Sequence, residues 1–446
     1  MHLKQRIVLT IAMLSYLLTA MSNCLVITGL TKIAADLSLN QVGLSWVQNA
    51  YGLAFGSFLL LSGRLSDAFS RRSILNIALV IFLVGSLLSG MATSGPVMIG
   101  ARFLQGIGSA LLAPTSMALL IDYFDGPALV KAIAWYSSVA GLGSSIGLIL
   151  GGLFASLWSW RLGFYLNVPV CLVMLLLSWQ TLKATTALEA HQRFDLLGTI
   201  TSVLGCGMLV FALNGAKQPL LTLGVAILIM AVFVIIEHHS QHPLLPLSIF
   251  HNWVRTDGYL CRLILNGAVL GYWFFVSEYL QQVMHYSPLQ VGFAYLPLSV
   301  TLFLAAMVVP RLVNAWGNKI VLIIASITML VGFALTLTMI GRGYWLSVGI
   351  PMFILGLGQG LALAPTTNMG IYHVPAQESG TASGLVNVAH QIGGVLGLAL
   401  MVNVASALVG AISIQRQFSV AMVVAVVMMT LTVLLALLAG REAQEK

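Results

Sequence analysis

Apolar windows of about twenty residues follow one another along nearly the whole chain, near 7–30, 42–62, 74–94, 97–120, 131–155, 163–182, 196–215, 219–236, 259–283, 289–313, 319–340, 345–367, 380–408 and 418–439. At a rise of about 1.5 Å per residue, each is long enough to cross a hydrocarbon core of about 30 Å as a helix. Helices also satisfy their own backbone groups, which lipid cannot do. The expected fold class is therefore an all-α integral membrane protein with about fourteen transmembrane helices. Composition agrees, because a chain of 446 residues that is 59% hydrophobic and 7% charged lacks the polar surface a water-soluble domain needs.

The charges fall between the windows and set the orientation. Of the Lys and Arg residues outside the spans, thirteen lie on one side, among them Lys4, Arg6, Arg64, Arg71, Arg72 and Lys446, and five on the other, among them Lys32 and Arg161. The side richer in Lys and Arg is cytoplasmic, which predicts a multi-pass plasma (inner) membrane protein with both termini in the cytoplasm. The net charge of +8 arises from residues standing singly in short connections, so it reads as attraction to anionic lipid and excludes a nucleic-acid face. Cys24, Cys171, Cys206 and Cys261 all fall inside apolar runs without ligand-like spacing, so neither a disulfide framework nor a metal site is expected. The apolar run from Ile7 to about Thr28 exceeds a signal-peptide core and reads as the first span.

One connection is repeated. The segment Gly63-Arg64-Leu65-Ser66-Asp67-Ala68-Phe69-Ser70-Arg71-Arg72 returns 247 residues later in weaker form: Arg64 matches Arg311, Asp67 matches Asn314, Phe69 matches Trp316 and Arg72 matches Lys319. A second echo sets Phe103, Gly106 and Gly108 against Phe353, Gly356 and Gly358 at an offset of 250. Such internal symmetry implies two six-helix bundles, 1–185 and 241–446, with two extra helices inserted in a linker at 186–240.

With these residues in view, the chain resembles the major facilitator superfamily, and within it the fourteen-helix drug:proton antiporter branch. The loop at 63–72 resembles the family's motif A, Arg102-Phe103-Leu104-Gln105-Gly106-Ile107-Gly108 with Ala113-Pro114 resembles motif B, and Gly143, Gly147, Gly151 and Gly152 stand where motif C has its glycines. Trp160-Arg161 with Asn167-Val168-Pro169, Pro243-Leu244-Leu245-Pro246-Leu247, Tyr279-Leu280-Gln281-Gln282 and Ser379-Gly380-Thr381-Ala382-Ser383-Gly384 are typical of the fourteen-helix branch. Two positions depart from it. Ser22 stands where many members carry a helix 1 acid, and Leu148 where motif C has a proline.

The resemblance implies that Gly63, Arg64, Asp67, Arg71 and Arg72 form a gate that stabilises the outward-facing state; the plainer reading is that the arginines hold the loop in the cytoplasm. Ionisable residues within spans are costly in lipid and default to functional candidates, which selects Arg102, Glu278 and His390 for proton coupling. Arg102, tied by the resemblance to proton transfer, can instead bind an anionic substrate group. His390 titrates near neutral pH and Glu278 reads as the only acid within a span, near its outer end. Arg262, near the cytoplasmic end of the same span, is expected to snorkel. Asn49, Gln105, Trp135, Tyr272 and Asn387 are candidates for a substrate cavity, whereas Gly143, Gly147, Gly151 and Gly152 form a helix-packing stripe.

The expected function is export of small lipophilic molecules or drugs by proton-coupled alternating access, by a bacterial monomer whose partners are substrate, protons and the bilayer. No cofactor, metal or covalent chemistry is implied. An importer or uniporter of a small metabolite is the alternative that Ser22 and Leu148 favour, and a receptor or scaffold without transport is the other.

Overall fold

The computed structural model describes residues 2–182, 195–213, 216, 218–240, 243–374, 379–409 and 413–438, and these are helical with short connections. The helices are α1 (Leu3–Leu37), α2 (Gln41–Ala68), α3 (Arg71–Met91), α4 (Gly95–Tyr123), α5 (Gly126–Leu157), α6 (Arg161–Tyr165), α7 (Asn167–Thr181), α8 (Leu196–Leu213), α9 (Pro219–His239), α10 (Trp253–Glu278), α11 (Pro288–Ala294), α12 (Leu296–Met339), α13 (Ile350–Gly370), α14 (Ser379–Val409) and α15 (Ile414–Leu438). Ten helical runs among the described residues are long and apolar enough to cross a membrane. The run Pro288–Met339 spans 52 residues and covers two of the apolar windows. They are parted at Gly317, whose φ of 80° breaks α12 in a conformation that suits glycine.

Local chemistry sets the ends. Asn40 caps α2 by accepting from the Gly43 N–H at 2.8 Å, and Asn252 caps α10 by accepting from the Val254 N–H at 2.9 Å. Within the spans, hydroxyls of Ser15, Ser86, Thr115, Ser326 and Thr432 donate to the carbonyl four residues back, so polar side chains enter an apolar setting without an orphaned hydrogen.

The caps also correct a sequence expectation. Hydropathy trims polar helix ends, but α10 starts at Trp253, capped by Asn252, and not near 259, and α9 continues to His239. Glu278 is consequently not the only acid inside a helical span: Asp257 in α10 is fully buried and Glu237 in α9 is 3% exposed. Glu237 Oε2 accepts from the Leu245 N–H at 2.9 Å, tying the end of α9 to the Pro243–Leu247 segment.

By packing, the chain divides into two compact units, Met1–Thr199 with Ser287–Phe293, and Ile200–Tyr286 with Ala294–Lys446. Each unit carries the same internal arrangement. In the first, α1 packs on α5 and α4 packs on both α2 and α3; in the second, α10 packs on α14 and α13 packs on both halves of α12.

The repeat extends to individual atoms. A Cβ added to Gly106 would stand 2.4 Å from Tyr51 O, and one on Gly356 would stand 2.4 Å from Leu298 O; Tyr51 and Leu298 are 247 apart. Gly108 and Gly358 likewise meet Phe82 and Met329, again 247 apart. Glycine at these four positions lets helix backbones approach to contact distance.

Candidate functional site

The first unit buries a closed ring of polar side chains. Arg102 of α4 is fully buried; its Nε donates to Val47 O at 3.2 Å, and its Nη1 to Ser22 O at 3.3 Å and Gln105 Oε1 at 2.5 Å. Gln105 Nε2 donates to Ser86 Oγ at 2.8 Å, and Asn167 Nδ2 reaches Ser86 Oγ at 3.5 Å and Ser22 Oγ at 3.1 Å. Residues of α1, α3, α4 and α7 thus close on one another, and all five are fully buried. Tyr51 completes the setting from α2: its ring lies 4.4 Å below the guanidinium, and its hydroxyl lies 2.8 Å from Ser109 Oγ and 3.1 Å from Thr19 O. Arg102 is the only ionisable member, so the ring carries a positive charge held by neutral acceptors.

Gly106 and Gly108, one and three residues beyond Gln105, let α4 sit close enough to α2 and α3 for these bonds to form. The sequence singled out Arg102, Gln105 and, as a departure, Ser22. Ser86 was missed, because a serine in an apolar window carries no local signal; Asn167 was noticed only within a motif.

At the two ends of α1 lie two further clusters. Near its start, Arg71 donates to Ser66 O and to Ser66 Oγ at 3.0 Å, while its Nε stands 3.5 Å from Asp122 Oδ2 at the end of α4. Asp122 is a partner with no local signal in the sequence. The Arg64 and Asp67 side chains lie outside the described residues. Gly63 faces open space, and Arg72 is half-buried. At the far end of α1, Asp36 Oδ2 accepts from Trp160 Nε1 and Arg161 Nη1, both at 2.8 Å, and Arg161 Nη2 donates to Ala92 O at 3.1 Å. This clasp joins the end of α1 to the α3–α4 and α5–α6 turns.

The glycine stripe of α5 lies on α1. A Cβ on Gly147 would stand 2.8 Å from Met21 O and one on Gly151 2.8 Å from Leu25 O, whereas Gly143 faces the Ala20 side chain at 3.1 Å. Gly152 faces elsewhere, 2.4 Å from Pro288 O, within the same unit. The second unit repeats the stripe where no motif announced it: Gly393 and Gly397 of α14 press on Leu263 and Gly267 of α10.

The remaining candidates are dispersed. Glu278 is 2% exposed at the junction of α10 with the wider-wound turn Tyr279–Val283, which places it inside its unit and not at a wet mouth. His390 of α14 is half-buried, its carbonyl accepting from Asn266 Nδ2 at 2.6 Å while its Nδ1 has no partner. Arg262 does not snorkel: it is 8% exposed and its Nη1 donates to Leu363 O at 3.0 Å and Thr366 Oγ1 at 3.1 Å. Tyr272 is buried against Phe333, Trp135 and Asn387 are exposed, and Asn387 Nδ2 donates to Ser383 O. Asn49 is fully buried, with neither Oδ1 nor Nδ2 partnered.

The sequence model of the Major Facilitator Superfamily matches residues 12–398. The chain belongs to the Major Facilitator Superfamily. Its relatives in that superfamily include the puromycin resistance protein pur8 of Streptomyces alboniger, 32% identical over 407 residues, which are 88% of this chain and 80% of the relative. The cephamycin export protein CmcT of Amycolatopsis lactamdurans is 29% identical over 409 residues, 89% and 84% of the two chains.

Among solved structures, an inward-facing, unoccupied bacterial homologue of the human lysosomal transporter Spinster aligns with a TM-score of 0.71 at 16% identity, over 98% of this chain and 97% of that one. A D-xylose–proton symporter aligns at 0.69 and 14% identity, over 99% of each. At such identities the likeness shows the fold alone. Membership of the superfamily makes the chain a multi-pass membrane transporter of small molecules and not an enzyme.

Proposed function

We propose that this chain exports small, largely apolar molecules from the bacterial cytoplasm by proton-coupled alternating access, as a monomer in the inner membrane with both termini cytoplasmic. The observation that carries the direction of transport is the naming of its relatives, at about a third identity over most of their length, as resistance and export proteins. The fourteen-helix plan with an inserted α8–α9 hairpin, and motif A as the gate, belong to the same reading. The buried ring supports it, since a charged residue within a span is retained where it faces a transport pathway or proton relay. Glu278, Asp257 and His390 are groups of the second unit able to change charge in the coupling step.

One observation favours a second reading. The helix 1 position that many drug:proton antiporters fill with an acid is Ser22, whose hydroxyl only bonds Asn167, and this suits an importer or uniporter. Inside-out vesicles with an imposed pH gradient, acid inside, separate the two. Accumulation of lipophilic dyes from a panel of cations, neutral compounds and anions is expected; accumulation only in right-side-out vesicles would overturn export.

A further inference from the structure

Arg102 is enclosed in its unit with a full positive charge, and each atom it donates to is neutral. Its guanidinium offers five N–H donors in one plane. Nε and Nη1 are spent, but Nη2 is shielded from solvent and has no partner. The Tyr51 face attracts the cation and accepts none of its in-plane hydrogens. Among the described residues no carboxylate forms an ion pair with it; Asp36 and Asp122 pair with Arg161 and Arg71.

A buried donor without an acceptor is rare in folded proteins, and an unbalanced charge within a span is rarer. The position best placed to supply the counter-charge, on α1 beside Nη1, is Ser22. Its backbone carbonyl accepts from Arg102 and its Oγ accepts from Asn167, which leaves its own hydroxyl hydrogen free to donate. The protein therefore provides a cation and a neutral donor where a built-in anion would balance the charge.

We propose that Arg102 Nη2 and the Ser22 hydroxyl form an anion subsite, and that the counter-charge arrives with the cargo: the transported molecule is an apolar body bearing one carboxylate. The inference rests on the export reading above and narrows its substrate class. The N–H donors left on Nη2, backed by the guanidinium charge, suit a carboxylate oxygen; an inorganic anion such as chloride can carry the same charge to them without an apolar body.

The test uses the purified full chain and two probes of the same shape, 1-pyrenebutyrate and its uncharged amide, 1-pyrenebutyramide, with binding followed by fluorescence. A charge-assisted bond predicts that wild type prefers the carboxylate roughly tenfold or more. Arg102→Gln should bring the two probes within about twofold of each other, as expected for one lost charged contact. Ser22→Asp, which builds a carboxylate beside the guanidinium, should do the same, whereas Arg102→Lys should keep part of the preference. Thermal unfolding of each variant establishes that it is folded, and Ser22→Asp keeps the question open should Arg102→Gln fail to fold.

Equal binding of both probes by wild type, or a preference that survives both Arg102→Gln and Ser22→Asp, would overturn the subsite. A carboxylate preference seen only in gluconate buffer and abolished by chloride would assign the site to an inorganic anion and overturn the cargo. Vesicle uptake separates the two levels: pH-driven accumulation of cationic dyes and the amide but not of 1-pyrenebutyrate refutes the subsite and leaves export standing. No pH-driven accumulation of any compound refutes export itself.

Discussion

Arg71 and Asp122 show what a single exposed pair contributes. At 3.5 Å, with side chains 24% and 44% exposed, their attraction is worth about 0–1 kcal/mol and does little for the fold. In a protein that exchanges between states, 1 kcal/mol held in one of them shifts the populations about fivefold. Asp122→Asn and Arg71→Ala are therefore expected to lower turnover several-fold with substrate affinity unchanged, which transport rates beside equilibrium binding would check. The charge-swapped double variant should restore part of the rate. Asn318, the counterpart of Arg71, makes a neutral bond to Asn368 at 2.9 Å in the last turn of α13, so Asn318→Ala should change turnover less than Arg71→Ala. At this scale the sequence was only partly legible. Arg102 stood out because a charge in an apolar window is conspicuous, but Asp122 lies 51 residues from Arg71 at a helix end, and no local pattern pairs them. Asp257 escaped because hydropathy places the start of its helix too late. The titratable groups give a further expectation: Asp257→Asn, Glu278→Gln or His390→Gln should leave substrate exchange intact while at least one of them abolishes accumulation driven by a pH gradient. Full pH-driven accumulation in all three would exclude these groups as couplers.

The helices meet through glycine. Where a Cβ would strike backbone, substitution must push two helices apart, as at Gly147 against Met21 and at Gly397 against Gly267 Cα at 2.2 Å. Gly147→Leu and Gly397→Leu are each expected to destabilise the protein by at least ~1–3 kcal/mol, seen as a fall in the unfolding temperature in detergent. Gly100→Ala, with nothing within 4 Å, should be neutral and serves as the control. The α5 stripe could be read directly because four-residue spacing puts its glycines on one face. Its counterpart on α14, where Gly393 and Gly397 press on Leu263 and Gly267, carries no second motif that flags it. The offset of about 247 contained the information: carried from Tyr51 to Leu298 and from Phe82 to Met329, it specifies which helix each glycine touches. Among the described residues, eleven of the fourteen apolar windows lie in helical runs long and apolar enough to cross a membrane, because lipid imposes one length and one chemistry on every crossing.

Two units with the same internal packing, each holding buried ionisable groups, are what a carrier needs if it is to bind on one side of a membrane and release on the other. The loop charges predict a topology in which reporters fused at either terminus are cytoplasmic, and a terminus found outside would reverse the assignment of motif A to the cytoplasmic face. The proposed function ties outward substrate movement to inward proton movement. It is tested most directly in inside-out proteoliposomes that start without a pH gradient and contain a pH-sensitive dye, to which a transported substrate is added from the medium. Substrate entering the lumen is expected to drive protons out, so that lumenal pH rises with the substrate concentration and returns when the gradient is collapsed with an ionophore. Substrate accumulation in the lumen with no change of lumenal pH would contradict it.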